Sequence, residues 1–426
     1  MRGYPHFDKP LSFKKAQPLI TSTEWVAHHS FFPFISFSVV TKKVKKDSLT
    51  GKAIFKPPKE RQILYASHID SLIYGYYATI LSERYNAALV KHDLESEVIA
   101  FRSIFKKSNV DFANDAFEEI KSRGSCSAVA LDITCFFDNI DHALLKSSWM
   151  NIIQEKNLPN DHYAVYKSIT RYSHVLRDSA MAELAIPANA KIANWDGLCN
   201  AETFREKIRS NGLIKTNNTK KGIPQGSPIS ALLSNIYMLS FDLEIKAKVD
   251  AIGGKYYRYC DDILIIIDSE HVNSIASYVS DLTSKHKLEI NISKTETTTF
   301  LEVIPGEIKI LQQKPMQYLG FTFDGTRKLI RSAAFANYSH KMKRGVSLAK
   351  QTARKHNKIR RKKGQKSQPI YKKSLYEMYS HLGQRNFITY GHRAANIMGS
   401  DAIKKQLKPL WDRLAEEIEA AESDAL

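Results

Sequence analysis

Three acids in this chain stand beside or at the end of apolar strand patterns. Asp261 and Asp262 are adjacent, preceded by Tyr256-Tyr257-Arg258-Tyr259-Cys260 and followed by Ile263-Leu264-Ile265-Ile266-Ile267. That order reads as strand, tight turn, strand. Acids are poor strand residues, and two ionised neighbours repel each other, so the pair is easiest to hold beside a cation, best of all a divalent metal. Charge alone leaves a solvated turn as the ordinary meaning of such a pair. Asp132 closes a second apolar run, Ser127-Ala128-Val129-Ala130-Leu131, where an acid is costly to desolvate unless paired or metal-bound. Carboxylates from separate strands that share two divalent ions, about 3.5–4 Å apart, are equipment for phosphoryl transfer without a protein nucleophile.

Other stretches must position such a centre. Lys221-Gly222-Ile223-Pro224-Gln225-Gly226-Ser227-Pro228-Ile229-Ser230 fixes a loop with glycines and prolines and lets backbone approach a ligand closely. Ala231, Leu232, Ile236, Tyr237 and Leu239 then open a helix. Pro57-Pro58 predicts a turn between short apolar strands, bracketed by Lys56 and Arg61. Residues 70–86 are apolar and aromatic at helical spacing, and 109–120 read as an amphipathic helix with Phe112, Phe117 and Ile120 in the core. Asp138 and Asp141 are assigned to solvent or helix capping. Residues 150–220 read as polar helices without extractable chemistry. Near the end, Ile403, Leu407, Leu410, Leu414 and Ile418 recur at helical spacing, with Pro409 separating two helices.

The chain has 426 residues, enough for two or three domains, and carries 63 Lys and Arg against 44 acids, a net +19. Such a balance favours a polyanionic partner. Residues 341–373 hold 14 Lys or Arg and no acid. That stretch suits a phosphate-binding helical surface, with Tyr371, Tyr376 and Tyr379 for stacking; a disordered basic linker competes for 360–367, where hydrophobics thin out. Cys126, Cys135, Cys199 and Cys260 show no Cys-x-x-Cys spacing, which argues against a zinc site or disulfide framework and for a reducing compartment. No signal peptide is apparent, and the apolar stretch 31–40 is too short to span a bilayer. A cytoplasmic protein with no membrane partner is expected.

Tyr259-Cys260-Asp261-Asp262 between two strands, together with the Pro224-Gln225-Gly226 loop and the strand ending on Asp132, resembles the reverse transcriptases. The likeness covers about residues 52–325 and more loosely the C-terminal stretch 326–426. It implies an α+β right-hand polymerase. Its fingers and N-terminal region would occupy 1–124, the first catalytic palm strand 125–149 and a helical insertion 150–220. The rest of the palm would occupy 221–325 and a basic helical thumb 326–426. It also implies Asp132, Asp261 and Asp262 as catalytic metal ligands with the Ile133 carbonyl, two Mg²⁺ ions as cofactor, and Mn²⁺ as the alternative.

Lys56, Arg61, Phe137, Gln225 and Lys294 would form the nucleotide pocket, with Phe137 beneath the sugar and Lys294 near the departing pyrophosphate. Gly226, Tyr318, Leu319 and Gly320 would touch primer and template. Arg360, Arg361, Lys362 and Lys363 would hold RNA. Phe101-Arg102, Asn109-Val110-Asp111-Phe112-Ala113, Arg385-Asn386-Phe387 and Arg393-Ala394-Ala395 resemble the bacterial, defence-associated class rather than retron or intron enzymes. That class implies dNTPs, a structured non-coding RNA template and a DNA product. An RNA-templated RNA polymerase, a template-independent or protein-primed DNA polymerase and a non-catalytic RNA-binding protein are the alternatives; oligomeric state is not legible.

Overall fold

The computed structural model describes residues 4–46, 53–102, 106–187, 190 and 197–423. Chain order opens with α1 (Phe13–Ile20) and α2 (Thr23–His28), then the long antiparallel pair β1 (Phe34–Lys46) and β2 (Ala53–Tyr65). α3 (His68–Lys91) and α4 (Asn109–Arg123) lead to β3 (Cys126–Asp132). After α5 (Phe136–Asn139), α6 (His142–Ile153) and α7 (Asn160–Thr170) come β4 (Ser173–Leu176), α8 (Arg177–Glu183), α9 (Ala201–Thr203) and β5 (Lys215–Thr216). α10 (Ser230–Tyr237) and α11 (Leu239–Asp250) precede the hairpin β6 (Lys255–Tyr259) and β7 (Asp262–Ile267). α12 (Val272–Lys285), β8 (Glu296–Ile304) and β9 (Glu307–Ile310) follow, then β10 (Met316–Tyr318), β11 (Phe321–Phe323) and β12 (Lys328–Ile330). The chain closes on α13 (Ser332–Lys362), α14 (Lys373–Tyr379), α15 (Phe387–Ile397), α16 (Asp401–Leu407) and α17 (Pro409–Ser423).

β6-β7-β3-β8-β9 form an all-antiparallel sheet. Its centre explains the unbroken apolar run of β7. Ile263, Ile265 and Ile267 join one core with α3, α6, α10 and α12, while Leu264 and Ile266 join a second with α4 and the C-terminal helices. Side chains alternate sides along a strand, so a strand buried on both faces needs apolar residues at every position. Asp132 and Asp262 sit at the end of that double burial and face each other across β3 and β7.

Two expectations are corrected. Pro57-Pro58 makes no turn: β2 runs through both prolines, and the register with β1 shifts between Thr41 and Lys43. β2 is the outer strand of the sheet β2-β1-β4-β5, where a residue without an N–H does no harm. The connection between β1 and β2 lies in 47–52, outside the described residues. Residues 150–220 are not purely helical either. β4 pairs parallel with β1, and β5 pairs antiparallel with β4, so this stretch completes the sheet of the long hairpin. Two short segments of two and four residues gave periodicity too little length to register. Pro409 does separate two helices, and Asp141 caps α6, accepting from the Leu144 N–H at 3.0 Å.

Candidate active site

The hairpin turn is built by backbone before any side chain acts. Cys260 takes a left-handed conformation, φ 60°, which reverses β6 into β7 within two residues. The Asp261 carbonyl accepts the Ile133 N–H at 3.2 Å, so the turn is tied to the residue after Asp132. The Asp132 carbonyl in turn accepts from Asn291 N–H at 2.7 Å, which brings the segment before Lys294 alongside. Lys294 Nζ donates to Asp132 Oδ2 at 2.5 Å. Asp132, Ile133, Asp261, Asp262 and Lys294 are therefore gathered at one end of the sheet.

The electrostatics of that cluster are unbalanced. Burial raises the Asp262 carboxyl first, the charges of Asp261 and Asp132 raise it further, and Lys294 and Arg331 oppose them; the result is about 6. Asp132 and Asp262, facing each other, with Asp261 beside them, bring hard oxygen donors of the kind divalent cations take, against the opposing charges of Lys294 on Asp132 and of Arg331. Among the described residues no group of three or more His, Cys, Asp or Glu side chains is placed to hold a metal ion. Mg²⁺ is ordinarily held by one or two carboxylates with waters and substrate phosphates rather than by such a group.

The surrounding loops close on this point. Ile223 N–H donates to the Phe137 carbonyl at 3.0 Å, and Gln225 accepts the Leu64 N–H at 2.9 Å. The glycine loop thus touches both the segment after Asp132 and the end of β2. Gly226 has φ 123°, and a Cβ there would lie 2.6 Å from the Leu64 carbonyl oxygen. Phe137 is half-buried, its ring 5.7 Å from that of Phe136. Arg61 is exposed on β2, opposite Val39 and three positions before Leu64. The Lys56 backbone pairs opposite Lys43, and its side chain lies outside the described residues.

The β10–β11 hairpin stands on the other flank. Leu319 and Gly320 make its turn with φ 45° and 93°. Asn109 Nδ2 donates to the Leu319 carbonyl at 3.0 Å, and Arg331 N–H donates to that of Gly320 at 3.0 Å. Tyr318 is buried with its hydroxyl unpartnered; burial first and then the nearby charge of Asp262 push its pKa well up.

Arg360, Arg361, Lys362 and Lys363 are not part of this gathering. They lie at the far end of α13, whose 31 residues span roughly 45 Å at about 1.5 Å each. The competing disordered linker is not seen at 360–362, which are the last turn of that helix. Part of the basic run is neutralised: Lys343 pairs with Glu417 at 2.6 Å and Lys372 with Glu422 at 2.7 Å, both acids on α17.

A sequence profile described as reverse transcriptase (RNA-dependent DNA polymerase) matches residues 77–323, over half of the chain. The chain belongs to the reverse transcriptase family. Its helices and mainly antiparallel sheets are the α+β right-hand polymerase fold of that family. Reverse transcriptases generally use divalent metal ions, which agrees with the donor set above. No curated protein matches the chain. Among solved structures, apo telomerase from Candida tropicalis truncated from the C-terminal domain is 11% identical, with a TM-score of 0.41, over 68% of this chain and 55% of that one. Apo telomerase from the same organism is 13% identical, with a TM-score of 0.39, over 75% and 54%. This reverse transcriptase chain spans about half the length of those proteins. Among the described residues no helix is long and apolar enough to cross a membrane.

Sequence reasoning missed three residues that hold the site. Arg331 faces the acids from the start of α13, and Asn109 pins the β10–β11 turn from α4. Arg258 is wholly buried within the aromatic run. A charge inside an otherwise apolar strand was the available signal for Arg258, because it demands a buried partner.

Proposed function

We propose that the chain is an RNA-directed DNA polymerase that adds dNTPs to a primer by two-metal phosphoryl transfer. The observation that carries this reading is the meeting of Asp132 and Asp262 across β3 and β7, with Asp261 tied by backbone to Ile133. Two Mg²⁺ ions, or Mn²⁺, would neutralise the attacking and leaving oxygens when bound. Asp132 and Asp261 would hold them, with the Ile133 carbonyl assisting and Asp262 adding negative charge. Lys294, which donates to Asp132, stands near the departing pyrophosphate. Lys56 and Arg61 grip the triphosphate, Gln225 orients the nucleotide, and Phe137 fills the space a 2′-hydroxyl would need. Gly226, Tyr318, Leu319 and Gly320 seat template and primer.

The proposed division is fingers to residue 124, palm at 125–149 and 221–325, an insertion at 150–220 and a basic thumb from 326. Arg360, Arg361, Lys362 and Lys363 hold a structured non-coding RNA, and the DNA made on it serves bacterial antiphage defence in the cytoplasm. The motif resemblance around Phe101-Arg102 and Arg385-Asn386 supports that role. The test supplies purified protein with a primed RNA template, Mg²⁺ and either dNTPs or rNTPs. Extension with dNTPs alone supports the reading. Extension with rNTPs alone moves the chain to the RNA polymerase alternative, extension without template to the template-independent one, and no extension with retained RNA binding to the non-catalytic one.

A further inference from the structure

Directly behind the catalytic turn lies a charge cluster with no access to solvent. Arg258 and Asp242 are both fully buried. The guanidinium grips the carboxylate with two bonds, Nε to Oδ1 and Nη2 to Oδ2, each 2.6 Å. Its third nitrogen does something else. Arg258 Nη1 donates to the Cys260 carbonyl at 3.2 Å and to Asn235 Oδ1 at 3.0 Å. Tyr256 donates its hydroxyl to Asp242 at 2.7 Å, and Asn235 Nδ2 donates to the Ala100 carbonyl at 3.0 Å. The Arg258 backbone is held as well: its N–H donates to Glu97 and its carbonyl accepts from Ile99.

Cys260 is the residue whose left-handed backbone makes the turn, a conformation a non-glycine residue keeps only when its surroundings impose it. Its carbonyl belongs to the peptide that enters Asp261. The next peptide, leaving Asp261, has its carbonyl fixed by Ile133 N–H. Both peptide planes around Asp261 are thus pinned, one by the neighbouring strand and one by a buried guanidinium. The same guanidinium reaches Asn235 on α10, the helix that follows the Pro224-Gln225-Gly226 loop.

We propose that Arg258, oriented by Asp242, is a positioning residue that aims the Asp261 carboxylate and joins the catalytic turn to the α10 helix behind the nucleotide loop. This inference rests on the polymerase reading above. A planar fork is required, because two nitrogens must stay on Asp242 while the third reaches the turn; lysine offers one nitrogen and can satisfy only one side. Arg258→Lys therefore keeps the buried charge but releases the Cys260 carbonyl. The paired change Asp242→Leu with Arg258→Met removes both charges together, a swap that buried ion pairs commonly tolerate in folding.

The experiment measures three things on wild type, Arg258→Lys and the double variant: melting temperature, amide hydrogen exchange across 256–267, and the Mg²⁺ concentration giving half-maximal primer extension. The proposal expects folded variants whose exchange rises at Cys260, Asp261 and Asp262 at least ten-fold, with the interior of β7 unchanged. The half-maximal Mg²⁺ concentration rises about ten-fold and kcat falls, while KM for dNTP moves less than three-fold. Folded variants with wild-type exchange at the turn overturn it, as does exchange rising evenly along both strands. If both variants fail to fold, Arg258 is a core-forming group and the proposal is wrong. Wild-type protein that extends no primer sinks the polymerase reading instead, and the exchange result still decides the turn.

Discussion

Two sets of buried or half-buried acids lie on either side of the Cys260 turn, and they differ in how their charge is answered. Asp242 is fully enclosed; burial pushes its carboxyl up, while the Arg258 guanidinium and the Tyr256 hydroxyl oppose that shift and occupy its oxygens. Burial pushes Arg258 down, and Asp242 outweighs burial to push it up, so the guanidinium keeps its charge. Asp132, Asp261 and Asp262 are less buried and worse served, with Lys294 and Arg331 against three carboxylates. An acid with a complete set of partners serves structure. Acids left short of countercharge mark a place where a cation is meant to come. Breaking the two sets should therefore do opposite things.

The largest effect falls on the less buried side. Asp261→Asn should lower dNTP incorporation by at least about a thousand-fold, since it removes part of an electrostatic clamp. Its melting temperature and RNA affinity should stay near wild type; a variant extending primer at a normal rate would remove Asp261 from the chemistry. Asp262→Asn should even stabilise the fold by about 1 kcal/mol, the usual trade when a repulsive functional site is relaxed. Asp242→Asn should do the reverse. It strands Arg258 in the interior and should cost about 3–5 kcal/mol in a urea titration. If Asp242→Asn leaves stability untouched, the division between structural and functional acids fails.

Phe137→Ala sharpens the comparison at the nucleotide. Opening the space beneath the sugar should raise use of rNTPs relative to dNTPs by on the order of ten-fold. An unchanged ratio makes Phe137 core packing alone. At the far end of α13, replacing Arg360, Arg361, Lys362 and Lys363 with Gln tests charge without burial. If the region neutralises five phosphates of a single strand, log affinity falls with log salt at a slope of about −3.5. The quadruple variant should flatten that line and leave extension on saturating template nearly unaltered. Superimposable lines would place the RNA elsewhere.

The smallest effect concerns a buried imidazole far from both clusters. Burial, followed by the charge of His68, lowers His6 from 6.5 to about 3, while a backbone hydrogen bond at Tyr65 pulls the other way. The unfolded chain then takes up a proton near 6.5 that the folded chain refuses. Stability is full above pH 6.5 and falls as pH drops toward 3, by on the order of 1 kcal/mol per pH unit. Urea titrations at pH 7.5 and 5.5 should show the loss, and His6→Gln should reduce it. An identical pH dependence in that variant would assign the loss to other histidines.

The meeting of Asp132 and Asp262 was legible because strand pairing obeys a short-range pattern: an apolar run ending in Asp132 and another beginning at Asp262 had few other ways to meet. The α13 charge was legible as composition, but its ion pairs with Glu417 and Glu422 depend on a packing of helices that no local pattern states. β4 and β5 escaped notice for a different reason. They are short additions whose strand state comes from their neighbours, β1 for β4 and β4 for β5, not from their own residues. Pro57-Pro58 misled because proline argues against a strand only where its missing N–H is needed, and edge position removes that need. Arg258 announced a buried partner without naming it, since Asp242 and Asn235 come from two other helices.

The most direct test of the account is a Mn²⁺ titration followed by electron paramagnetic resonance, with primed RNA template and a non-hydrolysable dNTP analogue present. Wild-type protein should bind Mn²⁺ at this site, and Asp132→Asn and Asp261→Asn should each weaken that binding by at least about ten-fold. Undiminished Mn²⁺ binding in both Asp132→Asn and Asp261→Asn would contradict the assignment of these two acids as the metal-holding pair.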